Sequence, residues 1–252
     1  MGWQPGKTAT VSDFGAVQSN RPSPASFPGT MPLPLDVVTY GPDIPDESAF
    51  RLLGTGEGRR ILVLGLGRGH VAVTLALQGA RVICVDMNIE NIEAARVLAD
   101  ANEVKLDLHH GDLAELAFVR ADTIDVALSV YELGRIDDLD RVLRQVNRVL
   151  HTGSHFVCSF PHPAYVALDE SVPGSVRFNR AYTDRSPRTA GDATVYPRSI
   201  ADVFSSFGRA NFRVDALLEP IGEKSTQPSP FWAEAMRAVP PTLIMRGKKE
   251  GV

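Results

Sequence analysis

Two cysteines in 252 residues, Cys84 and Cys158, are too few for a disulfide framework. Each sits inside an apolar run (Arg81-Val82-Ile83-Cys84-Val85 and His155-Phe156-Val157-Cys158) and reads as a buried thiol in a strand, with no metal role. No apolar stretch reaches the roughly 18–20 residues a membrane span needs. A charged segment followed by an apolar one is also missing at the N-terminus, so no secretory signal is read and the cytoplasm is the expected location. Positive charge is not in excess. Lys and Arg number 26 against 30 Asp and Glu, a net charge of -4 that argues against a broad grip on nucleic-acid phosphates.

What is present is enough apolar sequence, 44% of the chain, for one sizeable core. Residues 1–33 are rich in Pro, Ser, Gly and Thr without helical or strand period, and they predict a flexible tail. A single domain is expected over 34–252. Ile61-Leu62-Val63-Leu64 is an apolar run without alternation, as a strand covered on both faces requires. Further strands are expected at 81–86, 104–109, 123–129, 156–160, 212–219 and 242–246. Helices are expected between them: a short one at 46–53, then 70–78, 89–102, 137–151 and one marked by Ile200, Val203, Phe204 and Phe207. The helix at 137–151 carries Leu139, Val142, Leu143, Val146, Val149 and Leu150 on one stripe, with Gly153 where a C-terminal cap takes glycine. Strands alternating with helices predict a parallel sheet with helices on both faces. An irregular, polar insert occupies about 162–197.

Three features carry chemistry. The first is the turn Gly65-Leu66-Gly67-Arg68-Gly69 between a strand and a helix. Glycines there let backbone approach a ligand at the carboxyl end of the sheet, although a tight turn without a ligand has the same look. The spacing is G-x-G-x-G. A dinucleotide fingerprint places its third glycine at position 70, which is His70, and the Lys-Ser/Thr of a phosphate-binding loop is missing. The second is Asp86, which ends a strand 21 residues after Gly65 and is placed to accept from two ribose hydroxyls or to begin the next helix. The third is Gly111-Asp112-Leu113, where a carboxylate can accept from an adenine amine or serve a turn.

With Ile124–Ser129 and Leu143–Ser154 added, the run from Tyr40 to Arg246 resembles the class I S-adenosylmethionine-dependent methyltransferases of the small-molecule type. The resemblance implies a Rossmann-like α/β three-layer sandwich with a seven-stranded, mostly parallel sheet of order 3-2-1-4-5-7-6 and an antiparallel last strand. It implies S-adenosylmethionine as cofactor, seated by Gly65, Gly67, Gly69, Asp86, Met87, Asp112, Leu113 and Ser129, with Met87 and Leu113 on the adenine faces. Two departures stand out. Family members commonly carry an acid two residues before the first glycine, where it helps hold the cofactor's ammonium group, and this chain has Val63. Losing one charge-assisted hydrogen bond costs about 1.5–3 kcal/mol. After the fourth strand comes Tyr131-Glu132-Leu133, where many relatives show a histidine-containing segment.

Methyl transfer needs alignment more than an obligatory catalytic side chain, and a general base only where the acceptor must lose a proton. His162, Tyr131 and Glu132 are the candidates near the carboxyl ends of strands 4 and 5. His162 is the best placed of them, though a loop histidine between Pro161 and Pro163 reads the same way. Tyr182 and Tyr196, in the insert, either line an acceptor pocket under a lid or pin the loop. The expected partner is a small-molecule acceptor, with no membrane and with nucleic acid disfavoured; the oligomeric state is open. Two other functions remain: a non-catalytic binding protein on the same fold, which Val63 keeps open, and an NAD(P)-dependent oxidoreductase, which His70 and the Gly111-Asp112 pair disfavour.

Overall fold

The computed structural model describes residues 22–168, 177–190 and 193–251. Seven strands form one sheet: β1 (Arg60–Leu64), β2 (Arg81–Asp86), β3 (Leu106–His110), β4 (Ile124–Val130), β5 (Leu150–Pro161), β6 (Phe212–Leu218) and β7 (Thr242–Lys249). Their order is β3-β2-β1-β4-β5-β7-β6. β7 runs antiparallel to both β5 and β6, and the pairs among β1 to β5 are parallel. This is the topology the resemblance implied.

The helices are α1 (Glu47–Phe50), α2 (His70–Leu77), α3 (Ile89–Ala101), α4 (Leu139–Val149) and α5 (Ile200–Arg209). The unbroken apolar strands follow from helices on both faces. Leu62 and Leu64 point to the side packed by Val142, Val146, Val203 and Phe207 of α4 and α5. Ile61 and Val63 point to the other side, against Ala72 and Leu75 of α2 and Ile92 and Ala95 of α3. Both neighbours of every inward residue are inward too, so no polar face exists for alternation to mark. Local caps fix where helices begin. Asp138 accepts from the Arg141 N–H at the start of α4, and Ser199 and Asp202 form a reciprocal capping box on α5.

Three expectations change. α4 stops at Val149, with Leu150 already extended as the start of β5. Gly153, φ +84°, is therefore not its cap but lies in an irregular stretch where the β4 pairing shifts between Leu150 and His155. The proposed tail boundary at residue 33 is too late. Residues 1–21 lie outside the described residues, but Pro24–Ser26 form a short 3₁₀ turn, and Phe27 is fully buried among Tyr131, Tyr165 and Phe231. Leu33 is buried as well. The proline-rich composition hid this segment because two well-placed apolar side chains, Phe27 and Leu33, suffice to anchor a chain that has no periodicity. The insert contributes a short separate hairpin, Arg188–Ala190 with Ala193–Val195; residues 169–176 and 191–192 of it lie outside the described residues. Cys84 and Cys158 are free thiols with no exposed surface.

Candidate functional site

The glycine turn follows β1 because Gly65, Gly67 and Gly69 all hold positive φ (+79°, +51° and +87°), which allows the chain to reverse within five residues before α2. Two of the glycines, Gly65 and Gly69, also have a steric reason. A Cβ on Gly65 would collide with the Cβ and Cγ of Glu132. A Cβ on Gly69 would lie 2.6 Å from the Cα and Cβ of Ala95, so that glycine sets how closely α2 approaches α3. Gly67 faces the ring of Pro28 at an ordinary contact distance of 3.4 Å.

Asp86, 1% exposed, is tied into this turn. Its Oδ2 accepts from the Leu66 N–H at 2.6 Å, its Oδ1 from the Asn88 N–H at 2.7 Å, and the Asn91 amide donates to both oxygens at 3.1 and 3.2 Å. Asn88 separately caps α3 through its own side chain. Asp86 thus sits at the end of β2 facing the glycine turn and braces the entry to α3, while the cap itself is Asn88. Asn91 was not singled out from the sequence. Its place one turn into the helix that Asp86 precedes is the signal that could have found it.

The remaining expected residues divide. Met87, 53% exposed, projects from the carboxyl end of β2. Leu113 has no exposed surface and belongs to the core with Ala114 and Leu116, so it supports its loop from beneath rather than offering a free face. Asp112 makes the turn contact, Oδ1 accepting from the Ala114 N–H at 2.8 Å, while Oδ2 has a long ion pair of 3.4 Å with the half-exposed Arg141. Ser129 is buried and donates its hydroxyl to the Leu64 carbonyl at 2.8 Å, which locks β4 to β1 at the turn.

The three catalytic candidates differ more sharply. His162 is 3% exposed and both ring nitrogens are engaged. Nδ1 accepts from the Ala164 N–H at 3.2 Å, so Nε2 carries the hydrogen and donates to Glu219 at 2.8 Å. Burial holds its pKa below the ordinary histidine value against the opposing pull of Glu219. With no free lone pair it ties the end of β5 to the end of β6 instead of facing a pocket. Tyr131 has φ +64° and a buried hydroxyl 2.7 Å from Thr242 Oγ1; burial pushes its pKa well up. Glu132 alone reaches the glycine turn. Its side chain is 16% exposed, and its ion pair with Arg135 is a long 3.5 Å. Burial, with the nearby Asp86 charge adding to it and Arg135 opposing, raises its carboxyl pKa.

The loop that carries Glu132 is held from the insert. Arg198 donates to the carbonyls of Leu133, Ile136 and Asp137, and the Tyr196 N–H bonds the Gly134 carbonyl at 2.9 Å. Tyr182 accepts from the Ile200 N–H through its hydroxyl at 3.3 Å, which places it at the start of α5 in the pinning role.

At the turn itself a cavity of about 20 Å³ is lined by Val63, Gly65, Gly67, His70 and Val130, with Pro28 and Leu33 as its cover. His70 Nδ1 is buried there without a hydrogen-bond partner among the described residues. That orphaned polar atom, the bare backbone of the glycines and the Asp86 carboxylate fit a polar adenosyl ligand in chemical character. Its full volume fits only with the segment bearing Pro28 and Leu33 displaced. A second cavity of about 490 Å³ shares Leu33 as a wall and is otherwise bounded by Phe27, Met31, Ile44, Asp43 and Glu223.

The chain is similar to several known proteins. Residues 61–153 match a family model described as a methyltransferase domain. The chain is 32% identical over 133 residues to an S-adenosyl-L-methionine-dependent Diels-Alderase, iccD, of Talaromyces variabilis, covering 51% of this chain and 44% of that protein. It is 31% identical over 103 residues to a ubiquinone biosynthesis O-methyltransferase of Maricaulis maris, covering 41% of each. It therefore spans less than half the length of these curated relatives. Among solved structures, an S-adenosylmethionine-dependent methyltransferase from Mesorhizobium loti superposes with a TM-score of 0.66 at 24% identity, over 80% of this chain and 96% of that one. A protein described as a putative methyltransferase of the same kind from Listeria monocytogenes gives 0.66 at 19%, over 81% and 96%. Those two likenesses establish the fold.

Proposed function

We propose that this chain is a class I S-adenosylmethionine-dependent methyltransferase that binds S-adenosylmethionine over the carboxyl ends of β1 to β4 and methylates a small molecule, a reading supported by its sheet topology and by the methyltransferase-domain match at residues 61–153. The observation that carries the proposal is the buried Asp86 carboxylate bonded to the backbone of the glycine turn. A carboxylate offers about four acceptor sites. The two backbone donors hold the shortest bonds, and the longer Asn91 contacts are those a ribose diol would replace. Gly65, Gly67 and Gly69 would admit the amino-acid end of the cofactor against bare backbone. Met87 and Asp112 would meet adenine, Leu113 would hold that loop in place from the core, and Ser129 would fix the spacing of β1 and β4.

S-adenosylmethionine supplies an activated methyl group together with its own leaving group. The chain has to align the acceptor and keep water out. Pro28 and Leu33, which cover the turn with apolar surface, would serve the second need once their segment closes again over the bound cofactor. The cavity on the other side of Leu33 is of a size that suits a small organic acceptor, within the roughly 300–1,000 Å³ of ligand pockets. The ubiquinone biosynthesis O-methyltransferase supports an oxygen on such a molecule as the methylated atom. His162 and Tyr131, both committed to internal hydrogen bonds, are not assigned a proton-transfer role.

A second reading, a protein that binds the cofactor without turnover, is favoured by the small covered cavity and by Val63 at the cofactor end of β1. Calorimetric titration with S-adenosylmethionine, its demethylated product and NAD is the first test. Micromolar binding of both adenosyl ligands with no response to NAD is expected. Absence of adenosyl binding, or binding of NAD in its place, would overturn the proposal. Transfer of labelled methyl to candidate hydroxylated acceptors then separates the catalyst from the binding protein.

A further inference from the structure

β1 brings no charge to the glycine turn. Val63 is 2% exposed and contributes a branched apolar side chain to the cavity wall. A cationic ligand end placed there would meet bare backbone, valine and the like charge of Arg68, which also lines the cavity, and would need a carboxylate to offset both. The charge comes from a different strand end. Glu132 follows β4, and its Cβ and Cγ fill the volume a side chain on residue 65 would take.

Three observations make this carboxylate short of positive charge. Its ion pair with Arg135 is 3.5 Å long and joins neighbours on one 3₁₀ turn. The Asp86 carboxylate is close enough to repel it, and burial adds to that repulsion in raising its pKa. Finally, the loop backbone that carries Glu132 is fixed, because Arg198 and Tyr196 bond the carbonyls of residues 133, 134, 136 and 137. A carboxylate held in this position is costly to the fold unless a cation joins it.

We infer that Glu132 is the binding residue for the cationic amino-acid end of the cofactor, taking at the end of β4 the role that Val63 cannot fill in β1. This rests on the proposed use of S-adenosylmethionine. The chemistry is a charge-assisted hydrogen bond from the ligand ammonium to the Glu132 carboxylate. Glu132 is accordingly not free to act as the base for the acceptor, and Asp86 is left to the ribose alone. The inference also explains the size of Gly65: a side chain there would displace Glu132, so glycine at 65 and glutamate at 132 form one steric and electrostatic unit.

The test compares wild type with Glu132→Gln, which keeps the side-chain size and removes only the charge. Two probes are titrated by calorimetry: S-adenosylhomocysteine, which carries the ammonium, and methylthioadenosine, which has the same adenosine but no amino-acid end. The variant is expected to bind S-adenosylhomocysteine about tenfold to a hundredfold more weakly, the range of one charge-assisted hydrogen bond. Its affinity for methylthioadenosine is expected to stay at the wild-type level, which also shows that the site is folded. An unchanged affinity for S-adenosylhomocysteine would overturn the inference. An equal loss for both probes would overturn it too, since Glu132 would then shape the site without reading the charge. A wild-type protein that binds neither probe would refute the cofactor reading itself, and this assignment with it.

Discussion

Replacing Asp86 separates a ligand contact from a structural one, and the size of the structural part follows from its partners. The carboxylate, 1% exposed, accepts from the Leu66 and Asn88 N–H groups at 2.6 and 2.7 Å and from the Asn91 amide at 3.1 and 3.2 Å. In Asp86→Asn one oxygen becomes an NH₂ group, so one of the two backbone donors faces another donor. Losing a hydrogen bond to a charged acceptor costs about 1.5–3 kcal/mol, and a buried donor left unpaired about 1–3 kcal/mol, the two overlapping in part. Asp86→Asn should therefore lower unfolding free energy by about 2–4 kcal/mol, and Asp86→Ala by somewhat more. At about 2–4 °C per kcal/mol for a domain of this size, the asparagine variant should melt roughly 5–15 °C below wild type. Urea denaturation followed by circular dichroism measures the first quantity and a thermal melt the second. A Tm within about 2 °C of wild type would refute the reasoning, and Asp86 would then be a ligand group only. If the loss is found, weakened cofactor binding in an Asp86 variant cannot by itself be assigned to the ribose, and Asn91→Ala, which spares both backbone bonds, becomes the better probe of the same corner.

Gly69→Ala should cost about 2–5 kcal/mol, the sum of overpacking against Ala95 at 2.6 Å and a left-handed backbone at φ +87°; a loss below about 1 kcal/mol in urea denaturation would show that α2 and α3 move apart freely. Phe27→Ala should cost about 3 kcal/mol, since the ring is fully buried 5.1 Å from Tyr131 and 5.6 Å from Phe231, and limited proteolysis should then cut the chain near residues 22–34; an unchanged cleavage pattern and stability would show that this segment is not part of the core. His162 has a folded pKa below its unfolded value of 6.5, so the native state binds fewer protons there and its contribution is full above that pH and lost as pH falls below it. The Tm advantage of wild type over His162→Gln should be largest near pH 7.5 and shrink by pH 5.5; an advantage that stays constant across that window would contradict the direction of the shift.

Much of the fold was legible in the sequence. The order of elements and the parallel sheet follow from features that act locally: apolar runs of strand length, a 3.6-residue stripe on α4, and glycine where φ must be positive; the antiparallel last strand came from the family resemblance. The glycine turn and Asp86 were legible for the same reason, since both lie next to each other along one strand–turn–helix–strand unit. Helix ends were less so. Gly153 has the spacing of a cap, but whether a glycine after a helix ends it or serves an irregular strand depends on pairing with β4, which no local window contains.

The sequence by itself determined the architecture and the position of the glycine turn with Asp86 beside it, because short-range periodicity and backbone permissiveness are properties of neighbouring residues. Only the tertiary structure decided which candidates are free to act. His162 is the best-placed acid or base on paper, ahead of Glu132, yet it has both nitrogens bonded while Glu132 lies against Gly65, 67 positions away in the chain. Pro28 read as tail and became part of the cover of the turn, and Phe27 beside it packs among Tyr131, Tyr165 and Phe231. These outcomes turn on contacts between segments far apart in sequence, and on hydrogen bonds whose partners are chosen by the packed fold rather than by the residues alongside them.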